Sequence, residues 1–191
     1  VGAWTLYKKE VLRFLIVWVQ TIISPLISSL LFLLVLSLAI GSDRGEVLGV
    51  PYITFLAPGL ISMQVIQQSF SHSSSSFMIG KIQGNIVDLL YAPLSASEVT
   101  ISVTLAAVTR SVMIAIVSIS VFKFIIDIEI RNYLLIVVYT LLSSFILGNI
   151  GIIAGLWAEK FDHMATVTNF VIVPLSFLSG TFYSIERLPE I

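Results

Sequence analysis

The chain is predicted to be an all-α polytopic membrane protein, and three observations carry that prediction. Of its 191 residues 57% are hydrophobic and 11% charged, with a mean hydropathy of +1.03, whereas an ordinary soluble domain carries about 25% charge. Five windows are free, or nearly free, of Asp, Glu, Lys and Arg over roughly the 20 residues that span a hydrocarbon core. They are 14–42, 47–80, 99–123 (broken only by Arg110), 132–158 and 163–185. Between the second and third lies a polar-flanked stretch, IGKIQGNIVDLLYAPLSAS at 79–97, whose apolar residues recur at helical spacing. It is too wet to span and too patterned to be a loop.

Taken in order, residues 1–13 place Trp4, Tyr7, Val11 and Phe14 toward one helical face and Lys8, Lys9, Glu10 and Arg13 largely toward the other. That pattern predicts an interfacial amphipathic helix, aromatic rings at the headgroup level and basic groups toward anionic lipid. The first apolar window is about twice as long as a signal-peptide core and no small-residue cleavage site follows it, so it reads as a permanent anchor. Three of the ten basic residues precede it, which by the positive-inside bias predicts a cytoplasmic N-terminus. Propagating that orientation leaves Lys8, Lys9, Arg13, Lys81 and Lys160 inside, Arg44, Lys123, Arg131 and Arg187 outside, and Arg110 within a span.

The second window is the least uniform. From Met63 it reads MQVIQQSFSHSSSSF, and Gln64, Gln67, Gln68, Ser71, Ser74 and Ser75 recur at steps of three and four. A polar stripe of this kind does not face lipid. It suits either interhelical hydrogen bonds or the lining of a substrate route; His72 beside it suits a packed side chain better than a ligand. The 79–97 stretch follows. Ile82, Ile86, Leu89 and Leu90, beside Lys81, Asn85 and Asp88, predict one short amphipathic helix over 81–91 that stops at Pro93. Leu89, Leu90 and Tyr91 are its bulkiest apolar groups and the candidates to fill a partner's groove.

Arg110 sits in the third window with no acidic residue within a helical turn or two, so its partner must come from elsewhere in the fold. In the fourth window Gly148, Gly151 and Gly155 include a G-x-x-x-G step, which permits close helix approach. The fifth carries Pro174 and then a Ser179-Gly180 break before Phe182 and Tyr183. It is expected to bend at the proline and to reach the outer surface, re-entering or lying along it.

Several chemistries are disfavoured. With ten basic and eleven acidic residues and a formal charge of −1, the chain has no electrostatic footprint for nucleic acid. There is no cysteine and there are two separated histidines, which argues against a metal site. No phosphate-binding G-x-x-x-x-G-K-[ST] loop, H-E-x-x-H or G-x-S-x-G occurs, so the chain reads as a non-enzyme with no ATPase site of its own. All eleven acids fall in predicted loops or at span ends. Ion-coupled transport is disfavoured for that reason, and the driving energy is expected from outside the chain.

The ending VPLSFLSGTFYSIERLP, 173–189, resembles the fifth-span motif of ABC-2 type permeases, the membrane subunits of bacterial ATP-binding-cassette exporters. Pro174, Phe177, Ser179, Gly180 and Phe182 match its common form, and Ser184 departs from it where proline is usual. The stretches PGLISMQVIQQSF and DLLYAPLSASE, at 58–70 and 88–98, are similar to that family's second span and first cytoplasmic loop. The resemblance implies six membrane helices, a homodimer in the inner membrane, and separate ATPase subunits on the cytoplasmic side that hold the ATP and Mg. It also implies that 79–97 is the coupling loop of a single transmembrane domain covering 1–191. Five spans against six lead us to expect truncation at the C-terminal end. The rival readings are an ATP-independent carrier or channel and a polytopic membrane enzyme. The substrate stays open among drugs, polysaccharides and lipid-linked glycans.

Overall fold

The structure is a computed structural model that describes residues 2–40, 49–126, 128, 130 and 132–178. Among them the chain is helical and contains no β-sheet. Helix α1 (Gly2–Ile16) leads through a π-turn (Val19–Ile23) into α2 (Ser24–Ile40). Then come α3 (Tyr52–Ile82), the short α4 (Ile86–Tyr91), α5 (Ala96–Ile126) and α6 (Tyr133–Trp157). A last run is made of α7 (Phe161–Val167), a second π-turn (Thr168–Ile172) and α8 (Val173–Leu178).

Both π-turns precede a proline, Pro25 and Pro174 respectively. A proline ring clashes with the carbonyl four residues back, and a turn widened by one residue carries that carbonyl aside. At Pro174, where a bend is expected, the helix carries a π-turn over Thr168–Ile172. In the first π-turn the Thr21 hydroxyl donates to the Phe14 and Val17 carbonyls, at 3.0 and 3.2 Å, which satisfies acceptors the irregular turn disturbs.

Four stretches are long and apolar enough to cross a membrane: Val19–Leu38, Ala96–Ile126, Tyr133–Trp157 and Phe161–Leu178. They fall in four of the five predicted windows. The second window holds α3, which has 31 residues and so a length of about 46 Å at 1.5 Å per residue. Its glutamines and serines keep it out of the apolar class, so length and composition together count four where the charge-free windows counted five.

Helix α3 is nonetheless the centre of the bundle, packed most extensively on α6 and then on α5, while α1 lies along α5. Near its start Leu56, Leu60 and Val65 form a core with Leu33 of α2 and Ala115 and Phe122 of α5. Near its end Phe70 and Met78 pack with Ala154, Ala158, Met164 and Ile172, and Phe77 packs with Val103 and Ile152. Leu89 and Ile86 of α4 lean on that last cluster.

The α3–α6 seam is closed by glycine. A Cβ on Gly151 would stand 2.5 Å from the Phe70 carbonyl oxygen, and one on Gly155 would stand 2.8 Å from that of Ser74. The predicted small-residue approach is therefore real, and its partner is α3. Ser69 Oγ adds a hydrogen bond to the Ser144 carbonyl at 2.5 Å.

Two sequence readings are corrected. The segment 81–91 is not one helix: α3 runs on to Ile82, Gly84 turns the chain with φ +76°, and only Ile86–Tyr91 forms α4. The left-handed conformation at Gly84 favours a residue without Cβ. Second, Glu10 does not face outward. Leu6, Glu10 and Phe14, spaced by four, form the buried face of α1, while Trp4 is 59% exposed. The α1–α5 contact sets this rotation, through Tyr7 Oη with Thr109 Oγ1 at 2.9 Å and the Ser102 hydroxyl donating to the Ala3 carbonyl at 2.9 Å.

Candidate functional site

A cleft of about 900 Å³ opens between the α1–α2 arm and α3. Its α3 wall is the glutamine–serine stripe: Gln64, Gln67, Gln68, Ser71 and Ser75, with His72. Phe14, Val17, Phe32, Leu60, Met63 and Phe177 give it apolar surface, and Arg13 and Arg110 bring charge. The spacing of three and four thus brings five of the six stripe residues to one wall, while Ser74 is buried against α6 beside Gly155. Arg110 joins them from the fifteenth of the 31 positions of α5, close to mid-helix.

Individual side chains of the stripe divide between interhelical hydrogen bonds and the wall of the cleft. Gln64 is glue: its Nε2 donates to the Pro25 carbonyl at 2.7 Å and its Oε1 accepts from Ser118 Oγ at 3.1 Å, tying α2, α3 and α5 together. Gln68 Oε1 accepts from Arg110 Nη2, the long-range partner that the sequence required. Ser71 stays exposed on the cleft wall. Gln67 is half-buried, yet its Nε2 is fully buried and has no hydrogen-bond partner among the described residues; the same holds for Arg110 Nε.

A charged cluster that sequence reading missed lies at the rim of this cleft. Glu10 Oε2 is 3.0 Å from Arg13 Nη2 and 3.7 Å from His72 Nε2, and Arg13 Nη2 donates to the His72 carbonyl at 3.1 Å. His72 is fully buried, edge-on to Phe14 with ring centroids 5.6 Å apart. The signal was available in the i, i+4 recurrence of Leu6, Glu10 and Phe14, which outvotes the count of charges on the opposite face.

The second candidate surface is at the end of the bundle where α3, α4 and α6 meet. Lys81 does not belong to α4; its Nζ donates to the Leu156 carbonyl and, at 2.9 Å, to that of Ala158, closing the C-terminus of α6. Ile82 is exposed at the end of α3. Within α4, Ile86 and Leu89 are half-buried against the bundle, Asp88 lies in the first turn, and Leu90 and Tyr91 are 77% and 86% exposed. Of the three groups expected to fill a partner's groove, Leu89 is thus spent on the bundle itself. Ser95 and Glu98 then start α5 as a capping box, with Ser95 N donating to Glu98 Oε2 at 2.8 Å and Glu98 N donating to Ser95 Oγ at 3.3 Å.

Of the outer-side motif, Pro174 and Phe177 lie in α8, and Phe177 reaches the cleft. Ser179, Gly180 and Phe182, and with them the predicted re-entry, lie outside the described residues.

The bundle thus has a 31-residue polar-walled helix, a mid-helix arginine and a short helix at one end, and comparison with known proteins says what kind of bundle it is. The family description "ABC-2 type transporter" matches residues 2–191. The chain belongs to the ABC-2 type transporter family. It is similar to the inner membrane transport permease YadH of Escherichia coli K12, with 31% identity over 185 residues, 97% of this chain and 72% of that protein. The same figures hold for YadH of Escherichia coli O157:H7 and of Shigella flexneri. No solved structure matches. This ABC-2 chain is therefore a membrane transport permease, of a family that is not itself enzymatic.

Proposed function

We propose that two copies of this permease form the translocation path of an exporter in the bacterial inner membrane, driven by separate ATP-binding-cassette subunits that bind ATP and Mg. The observation that carries this reading is α4. It is a six-residue helix hung between two long ones, anchored by Ile86 and Leu89, that turns Val87, Leu90 and Tyr91 outward. Large apolar groups on a helix too short to span are suited to a protein partner's groove. Helix α3 crosses the membrane beside α5 and α6 in this reading, its polar wall turned to the cleft.

Orientation follows from grouping. The start of α1 lies near the start of α5, where a Cβ on Gly2 would meet Leu94, and α4 and the Lys81–Ala158 contact are at that end too. Lys81 and Lys160 therefore share one end of the bundle with the start of α1, which supports a cytoplasmic N-terminus and a cytoplasmic α4. Closure of the ATPase pair on ATP would displace α4. Lys81, tied to α6, and the capped start of α5 would carry that displacement into the bundle.

The test is co-purification of the full-length permease with ATPase subunits encoded nearby, using wild type and Leu90→Asp/Tyr91→Asp. Both positions are exposed, so the variant is expected to fold, to lose the ATPase and to lose ATP-dependent transport. An ATPase retained by the variant, or solute movement in liposomes by the permease alone, would defeat the assignment.

A further inference from the structure

We infer that the cleft takes an amphiphile with an anionic head group, a carboxylate or phosphate received by Arg110, with its apolar body along the α2 and α8 walls. This rests on the cleft being the translocation path and names the class of molecule that path accepts.

The argument is one of charge and unspent donors. Arg110 is 9% exposed at the middle of α5, and its one side-chain partner among the described residues is the neutral amide of Gln68. Arg13 lines the same cleft, and Glu10 is committed to it at 3.0 Å. The cleft thus has two guanidiniums and one adjacent carboxylate. A guanidinium withdrawn from water without an opposite charge is costly, and in membrane spans such groups pair or mark a ligand path. The donors nearby are also unspent: Arg110 Nε and Gln67 Nε2 are both buried without acceptors. A guanidinium with an unspent N–H receives an oxyanion, whose oxygens take several N–H groups at once. A cation or a neutral sugar leaves the charge uncompensated.

The rest of the wall sets the other half of the ligand. Phe32, Leu60, Met63 and Phe177 provide apolar surface on the cleft, and its volume lies in the range of small-molecule sites, roughly 300–1,000 Å³. An anion with an apolar tail satisfies both halves. Two sources share that chemistry, a free amphiphile and the head group of an anionic membrane lipid.

The full-length permease, in nanodiscs of phosphatidylcholine, is titrated with radiolabelled laurate, with dodecyltrimethylammonium as the cationic counterpart. Laurate is expected to bind saturably, about tenfold or more weakly to Arg110→Gln, and within a few-fold of wild type to Arg110→Lys. Dodecyltrimethylammonium shows no saturable binding. Competition by phosphatidylglycerol added to the nanodisc assigns the head group to a lipid, and absence of competition assigns it to a free amphiphile; both support the inference. Laurate that does not saturate, or binds equally to wild type and Arg110→Gln, overturns it. If Arg110→Gln is not monodisperse, Gln67→Leu keeps the cation and removes one buried donor. Laurate affinity then falls several-fold, and an unchanged affinity overturns the inference. ATPase co-purification is read on the same preparations. Its retention alongside failed laurate binding rejects the ligand and leaves the coupling reading standing.

Discussion

The two faces of α3 solve opposite problems with similar residues. Toward α6 it presents Ser69, Phe70, Ser73 and Ser74, and Gly148, Gly151 and Gly155 let the backbones meet with no room for a Cβ at the last two. Toward the α1–α2 arm it presents Gln64, Gln67, Gln68 and Ser71, and the helices stand apart around about 900 Å³. Both faces are polar by composition. What separates them is side-chain length and the residue opposite. Serine against glycine disappears into a seam, whereas glutamine reaches across to the Pro25 turn, as Gln64 does at 2.7 Å, and a cleft remains beside it. A polar stripe in a membrane helix therefore says that lipid is not its neighbour, without saying whether a helix or a cleft is.

The comparison breaks most severely at Gly151. Gly151→Leu places a side chain where even a Cβ is 2.5 Å from the Phe70 carbonyl oxygen, and we expect loss of the monodisperse species on size-exclusion chromatography. Overpacking of a few methyl groups typically costs about 1–3 kcal/mol, and here the obstacle is backbone. Gly148→Ala is the control, since its nearest neighbours stand at 3.4–3.5 Å; equal damage from both would show that the seam is not the reason.

Gln68→Leu comes next, on the open face. It removes the acceptor for Arg110, and leaving a buried charged donor unpaired costs about 1–3 kcal/mol or more. A melting temperature lowered in Gln68→Leu, and largely restored in Gln68→Leu/Arg110→Leu, is the expected result. An unshifted single variant would mean that Arg110 is already compensated by another group.

Lys81→Met tests the end of the closed seam. It removes the donor to the Leu156 and Ala158 carbonyls, for a loss of about 1 kcal/mol. Faster amide exchange should be confined to the α6–α7 junction. Exchange that rises over α4 alone would instead place Lys81 with the short helix, as its sequence position first suggests. The smallest effect belongs to Ser71→Ala. An exposed hydroxyl on the cleft wall carries little stability, within about 0.5 kcal/mol, so a larger shift in melting temperature would argue that the cleft is closed around it.

The sequence by itself determined the all-helical membrane class, the apolar windows, the stripe on α3, the long-range need of Arg110 and the wet stretch at 79–97. Each follows from composition or from a period of 3.6, which a helix expresses whatever its neighbours are. Tertiary structure alone decided which face meets which partner. Glu10 is drawn inward because Leu6 and Phe14, at the same phase, are buried, and Lys81 joins a carbonyl 77 residues away. The stripe divides into a seam and a cleft because glycines from α6 lie on one side and the Pro25 turn on the other. Periodicity assigns a side chain its direction around its own axis, whereas the contact it makes depends on a second helix whose position no local pattern encodes.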